Sequence, residues 1–151
     1  MITYRAAKFD DVEKIHKLLN DYAKAGLMLP RSRNAIYENL RDYIVAMQGS
    51  HLVGCGALHF VWDRLAEIRS LAVDPELKCT GIGRNIVELL EKEGIERGVK
   101  MFFTLTYQPG FFAKCNYIET AKEKLPQKVW KECVYCPQYP YCNEIAFVKT
   151  T

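Results

Sequence analysis

A nearly continuous apolar run, Ala66 to Val73, interrupted by Glu67, Arg69 and Ser70, reads as a strand. It leads into Asp74-Pro75-Glu76-Leu77-Lys78-Cys79-Thr80-Gly81-Ile82-Gly83-Arg84-Asn85. A helix-like run, Asn85 to Arg97, leaves that turn, with Gly83, Ile86, Val87, Leu90 and Gly94 marking its buried face. Glycines at a helix start free backbone N–H groups, and the helix dipole points the same way. Strand, Lys-x-x-Gly-x-Gly and helix together predict a seat for a phosphate or pyrophosphate. No Gly-Lys-Ser/Thr follows, so this is not a P-loop, and the third glycine of a dinucleotide fingerprint is missing. A purely structural turn is the competing reading.

The chain of 151 residues has the length of one domain, and 49% hydrophobic content can bury an ordinary core. Its net charge of +3, with no run of basic residues, gives no argument for nucleic acid. No apolar run nears the roughly 18 residues that span a bilayer, and Met1-Ile2-Thr3-Tyr4-Arg5 leads straight into a strand, so neither a membrane segment nor a signal peptide is expected. The cysteines are Cys55, Cys79, Cys115, Cys133, Cys136 and Cys142; three fall in ordinary elements and three crowd the tail. That is not a secreted disulfide framework, and a reducing cytoplasm is expected.

Taken in order, Ile2 to Ala6 reads as a strand, and Asp10 or Asp11 caps a helix with Val12, Ile15, Leu18, Leu19 and Tyr22 on one face. Ser32 caps a second helix, Asn34 to Tyr43. Ile44 to Met47 and Leu52 to Phe60 form a hairpin about Gln48-Gly49-Ser50. Met101 to Thr106 is a strand buried on both faces, Gly110 to Lys114 a short helix, and Tyr117 to Glu119 and Ile145 to Lys149 are the last strands. The order βααβββαβαβ with a closing strand predicts a three-layer α/β (α+β) domain around one mixed sheet.

Lys78-Cys79-Thr80-Gly81-Ile82-Gly83 after the Ala66–Val73 strand resembles the signature of the GNAT acetyltransferase superfamily, with lysine where arginine or glutamine is usual. Gly26-Leu27-Met28-Leu29-Pro30-Arg31-Ser32-Arg33, Gly54-Cys55-Gly56-Ala57-Leu58 and Phe103-Thr104-Leu105-Thr106 look like the acetyltransferase domain of the N-acetylglutamate synthases, and the Leu125–Trp130 tail resembles their short, kinase-less members. The resemblance implies a mostly antiparallel sheet of six to seven strands, splayed at its centre and flanked by about four helices. It implies a cytoplasmic acetyl-CoA-dependent N-acetyltransferase acting on the α-amine of a free amino acid, with L-glutamate foremost, at the first step of arginine biosynthesis.

By the same resemblance, main-chain groups of Leu71, Ala72 and Val73 take the pantetheine arm, and N–H groups of Lys78, Cys79, Thr80, Gly81, Ile82, Gly83 and Arg84 take the pyrophosphate. Glu67 is the candidate base, acting through water; loss of the proton along a water chain is the alternative. The tyrosine that protonates the thiolate in many relatives is replaced by Phe112; the thiolate then leaves without a strong acid or takes a proton from nearby Tyr107, whose competing role is packing against the cofactor. The α-carboxylate is expected at Leu29 and Arg31, with Arg33 a rival and Ser70 a main-chain donor; a guanidinium fork suits a carboxylate. Arg69, Lys128 or Lys131 would hold a second substrate carboxylate, and an acceptor without one, such as glutamine, stays open. Cys133, Cys136 and Cys142 are three potential zinc ligands, one short of a closed structural set. An acyl-CoA sensor without turnover, or a metal-dependent interaction module, is the reading from another class. Exposed β-elements and the cleft are compatible with pairing into a homodimer.

Overall fold

The computed structural model describes residues 1–125 and 144–151. Among these residues the chain forms β1 (Ile2–Ala6), α1 (Val12–Lys24), α2 (Arg33–Glu38), β2 (Tyr43–Gln48), β3 (His51–Trp62), β4 (Leu65–Val73), α3 (Ile82–Glu96), β5 (Met101–Thr106), α4 (Pro109–Lys114), β6 (Ile118–Thr120) and β7 (Ile145–Thr150). The seven strands make one mixed sheet in the order β1-β2-β3-β4-β5-β7-β6. Every neighbouring pair is antiparallel except β4 and β5, which the α3 crossover makes parallel. The expected α/β architecture, with its splayed central strands and four flanking helices, is the one observed.

Strand alternation sorts side chains onto the two faces. Tyr43, Val45 and Met47 of β2 join Cys55, Ala57 and Ala72 against Val12, Ile15, Leu19 and Tyr22 of α1 and Ile36 of α2. Ala46, Val53, Leu58, Ala66 and Ile68 face the other way, onto Ile86, Val87 and Leu90 of α3. A third cluster, Leu65, Phe103, Leu125 and Ala146, sits where β4 meets β5.

Several local expectations shift. Asp11 does not cap α1 with its side chain. Its carboxylate instead accepts the Lys8 N–H at 2.7 Å and both Arg5 guanidinium nitrogens at 2.7 and 3.0 Å, tying β1 to the turn before α1. Ser32 does cap α2, accepting the Ala35 N–H at 3.1 Å. That helix stops at Glu38 rather than running to Tyr43, because Asn39 leaves helical geometry (φ −114°, ψ 21°) and Tyr43 is drawn into β2, where it is buried. Helix α3 begins at Ile82, three residues earlier than its periodicity suggests, since Gly81 turns the chain at φ +91° and accepts the Asn85 N–H at 2.9 Å.

Two predictions follow from this packing. A Cβ on Gly94 of α3 would lie 2.7 Å from the Phe102 ring, which is fully buried. Gly94→Ala gains about 1 kcal/mol of helix propensity but overpacks at a cost of about 1–3 kcal/mol, so a thermal melt should show a net fall in Tm. The Arg5 guanidinium beside Asp11 holds its carboxyl below the ordinary carboxylate value in the folded state. A lowered folded pKa contributes stability above the ordinary value, lost as pH falls through the folded one. Asp11→Asn should therefore lose stability at pH 7 and show a shallower decline below about pH 4, read from urea midpoints across pH.

Candidate active site

The site is a fork in the sheet. The β4–β5 ladder pairs only Leu65 with Met101, Ala66 with Phe102 and Glu67 with Phe103. Just beyond it the buried Thr104 hydroxyl donates to the Ile68 carbonyl at 2.8 Å, a side chain standing where a main-chain bond would continue. Past that point β5 follows β7 and β4 follows β3. Between Cys55 and Ala57 the β3–β4 register slips: Cys55 faces Ala72, while Ala57 faces Arg69. The extra residue is a bulge at Ser70, with φ +57°, and such a bulge re-aims the strand.

The Asp74 N–H returns to Val53 of β3 at 2.8 Å. Alternation therefore turns the main-chain groups of Leu71 and Val73 to the opposite edge, toward the fork, and those of Ala72 toward β3. The Tyr22 hydroxyl lies against that edge: it donates to the Val73 carbonyl at 2.6 Å and accepts the Val73 N–H at 3.2 Å. The Lys78 ammonium stands 5.4 Å over the Tyr22 ring. Below the fork comes the turn. Cys79 adopts φ +65° and Gly81 φ +91°, and Lys78, Cys79, Thr80 and Gly81 are all exposed. The amides of Ile82, Gly83 and Arg84 open α3 with no carbonyl behind them to bond. A Cβ on Gly83 would meet the Phe111 ring at 3.1 Å, so this glycine brings α4 close to the start of α3. The Arg84 side chain donates to the Lys114 carbonyl, which leaves its main chain to serve the turn.

On the α1–α2 side of β4 lie the polar residues. Glu67 occupies the last ladder pair, and its Oε1 is 3.6 Å from the Arg69 Nη1; the Arg69 side chain is 7% exposed and that of Glu67 17%. Tyr43 donates to the Ser70 hydroxyl at 3.2 Å. Burial pushes the Tyr43 phenol up, while the Ser70 contact and the nearby Arg31 and Arg69 guanidiniums act against that. Ser70 thus touches this phenol, and Arg31 and Arg69 lie close enough to favour its ionised form. Leu29 and Arg31 are half-buried in the link between α1 and α2. Arg33 points elsewhere, into an exposed ion pair with Glu13 at 2.8 Å. Under the bulge the Cys55 thiol, wholly buried, donates to the Ser70 carbonyl at 3.4 Å, and its pKa is pushed up to about 12 by burial. Tyr107 is half-buried just past the end of β5. Cys133, Cys136, Cys142, Lys128 and Lys131 lie outside the described residues, and among the described residues no group of three potential metal ligands forms.

Sequence reasoning placed Tyr22 only in the α1 core stripe and Tyr43 at the end of a helix. Neither reading revealed a hydroxyl aimed at β4. The half-buried His59, whose Nδ1 lies 2.9 Å from an Asp42 carboxylate oxygen, was not singled out either; its one signal is its place in β3 opposite Glu67.

Residues 12–117 match the acetyltransferase (GNAT) family. An uncharacterized N-acetyltransferase of Chlorobaculum tepidum is 44% identical over 97% of this chain and 94% of its own length. The amino-acid acetyltransferase of Mycobacterium tuberculosis is 34% identical over 85% of this chain and 75% of that protein. In structure, N-acetylglutamate synthase from Neisseria gonorrhoeae, solved with coenzyme A and N-acetyl-glutamate, superposes with a TM-score of 0.89 at 22% identity, covering 99% of this chain and 35% of that one. A Mycobacterium tuberculosis protein solved with CoA gives a TM-score of 0.85 at 27% identity, covering 99% of both chains. With the forked sheet and the glycine turn in place and a family match over most of its length, the chain belongs to the GNAT family of acetyltransferases.

Proposed function

We propose that this chain transfers the acetyl group of acetyl-CoA to the α-amine of a free amino acid, with L-glutamate the first acceptor to consider. The observation that carries the reading is Arg69 against Glu67 at the fork, with Ser70 bonded to the neighbouring Tyr43 phenol and Arg31 near enough to act on that phenol's charge. A carboxylate held there leaves its neighbouring amine within reach of a basic residue. The likeness to an amino-acid acetyltransferase at 34% identity supports the same acceptor class. It is also the reading under which the enzyme would open arginine biosynthesis. The free thiols of Cys55, Cys79 and Cys115 support a reducing cytoplasm as its location.

The residues present fit the carrier. The main-chain edge at Leu71 suits an extended amide-rich arm, much as a sheet edge takes an added strand, whereas the expected Val73 contact is already taken by the Tyr22 hydroxyl. The amides of residues 78–84 and the α3 dipole suit a diphosphate. Nothing lies within 4 Å of the position a Gly81 Cβ would take, so the turn is open on its outer side. Acetyl-CoA supplies the acetyl group as a thioester, which a neutral amine attacks directly, the C–N bond forming as the C–S bond breaks.

In this mechanism Arg31 grips the α-carboxylate by two parallel hydrogen bonds, and the backbone at Leu29 and Ser70 completes the clamp. Glu67 takes the ammonium proton, directly or through one water, and the amine becomes nucleophilic. Arg69 keeps the Glu67 carboxylate in place. Tyr107, just past the end of β5, would be the donor to the leaving sulfur, whose own pKa, about 8.5 for a free thiol, asks for little acid assistance. Cys55 is no acyl carrier, because a thiol raised to about 12 in a dry core is neither charged nor accessible at neutral pH. The transfer is accordingly read as direct, with no acyl-enzyme on Cys55.

Glutamine is a second acceptor with an observation in its favour. Arg69 already faces the Glu67 carboxylate at 3.6 Å, so part of its charge is offset before any substrate side-chain carboxylate arrives.

Three measurements test this reading. In a thiol-release assay over a panel of amino acids, glutamate or glutamine should be preferred, and equal rates on simple amines lacking a carboxylate would overturn the acceptor assignment. Arg31→Ala should raise the half-saturating acceptor concentration by roughly 10- to 150-fold, the value of a charged hydrogen-bonded contact of about 1.5–3 kcal/mol, with kcat less affected. Glu67→Gln should lower kcat by about 10²- to 10⁴-fold and flatten its pH dependence. Separately, Gly81→Val forces a branched side chain into left-handed backbone at about 1–2 kcal/mol, and calorimetry should find CoA bound about tenfold more weakly.

A further inference from the structure

Glu67 has to lose, in every turnover, the proton it gains. It is poorly placed to do so alone, since its side chain is only 17% exposed and faces the buried Arg69. The residue directly opposite it on β3 is His59. Directly opposed residues of an antiparallel pair share a face, with Cβ atoms about 4.5–5.5 Å apart, within reach of a carboxylate and an imidazole through at most one water. His59 Nδ1 in turn lies 2.9 Å from Asp42 Oδ2, in the turn that precedes β2. His59 at 29% and Asp42 at 26% are both more exposed than Glu67 at 17%.

We propose that His59, oriented by Asp42, is the relay that carries the acceptor's proton from Glu67 to solvent. The inference rests on Glu67 being the base. The steps balance. One N–H bond of the acceptor ammonium breaks and its proton passes to a Glu67 oxygen. The Glu67 O–H then gives that proton to His59 Nε2, with the Nδ1–H donated to Asp42 and fixing the tautomer. The resulting imidazolium, stabilised by Asp42, releases it to water, and all three side chains return to their starting state. Histidine suits this place because it gains and loses a proton near neutral pH, which neither carboxylate ordinarily does. The charged groups facing the imidazole are Asp42 from the turn before β2 and Glu67 from β4, with Arg69 beyond Glu67. A purely architectural His59–Asp42 pair, pinning the turn to β3, would not exchange protons with the reaction.

The test is acetyl transfer by His59→Ala and His59→Gln in dilute buffer, with and without added imidazole. Both variants should bind CoA as the parent does and keep its half-saturating acceptor concentration, while kcat falls about 10- to 100-fold. Imidazole should restore His59→Ala in proportion to its concentration and leave the parent and Glu67→Gln unaffected. If His59→Ala fails to fold, Asp42→Asn, which removes the anchor of the Nδ1–H, should lower kcat and sensitise it to buffer concentration. Parent-like turnover of His59→Gln in dilute buffer overturns the relay, as does a loss that imidazole does not repair in folded protein. If Glu67→Gln is nearly inactive while His59→Gln is unimpaired, the relay alone is wrong. If Glu67→Gln keeps full activity, the base assignment falls first and the relay falls with it.

Discussion

β4 and β5 run side by side for three residue pairs and then part. Everything distinctive about the molecule depends on that parting. A parallel pair left open would expose a row of unbonded main-chain groups, which is costly in a buried setting. Here the cost is limited in two ways: Thr104 closes the crotch of the fork with its hydroxyl, and the Tyr22 hydroxyl meets both polar groups of Val73. What is left at Leu71 is an edge that an extended, amide-bearing ligand can complete. The Ser70 bulge belongs to the same construction, because an added residue in β4 increases local twist just where the strand must turn from its neighbour.

The two faces of the fork differ in chemistry. Toward α3 the surroundings are apolar until the glycine turn, where main-chain donors gather. Toward α1 and α2 they are charged, with two guanidiniums, a carboxylate, a serine and a buried phenol. A ligand arm lying in the fork would present its end to the charged side and its diphosphate to the turn. Under the proposed function that division would separate binding from chemistry: the turn offers charge recognition through backbone that most side-chain changes leave intact, whereas the acceptor side would depend on individual side chains.

Much of the fold was legible in the chain because the signals were local and agreed with one another. The helix face of Ile86, Val87, Leu90 and Gly94, the hairpin about Gly49 and the doubly buried run from Met101 all appear as read. Boundaries were less legible where tertiary contacts override periodicity. Tyr43 fits a helix stripe with Ile36 and Leu40, yet burial of its ring and its bond to Ser70 draw it into β2. Asp11 looks like a helix cap, but a nearby guanidinium competes successfully for its oxygens. At the site, Glu67, Arg69 and Ser70 could be found because polar residues interrupt an apolar strand. Tyr22 and His59 could not, since a tyrosine in a core stripe and a histidine in a strand carry no mark of the partner that will meet them across the sheet.

Three ladder pairs are a slender seam between the half-sheet β1–β4 and the half-sheet β5–β7, and helix α3 is what spans it. Its Ile86 and Leu90 pack over β3 and β4, its Gly94 seats Phe102 of β5, and its Glu91 receives the Lys149 ammonium of β7 at 3.2 Å. The helix whose first amides are left free at the glycine turn is therefore also the keel joining both halves of the sheet. A ligand moored at its prow would rest on an element anchored in both halves of the sheet, which frames the gap between β4 and β5 where no continuous ladder does.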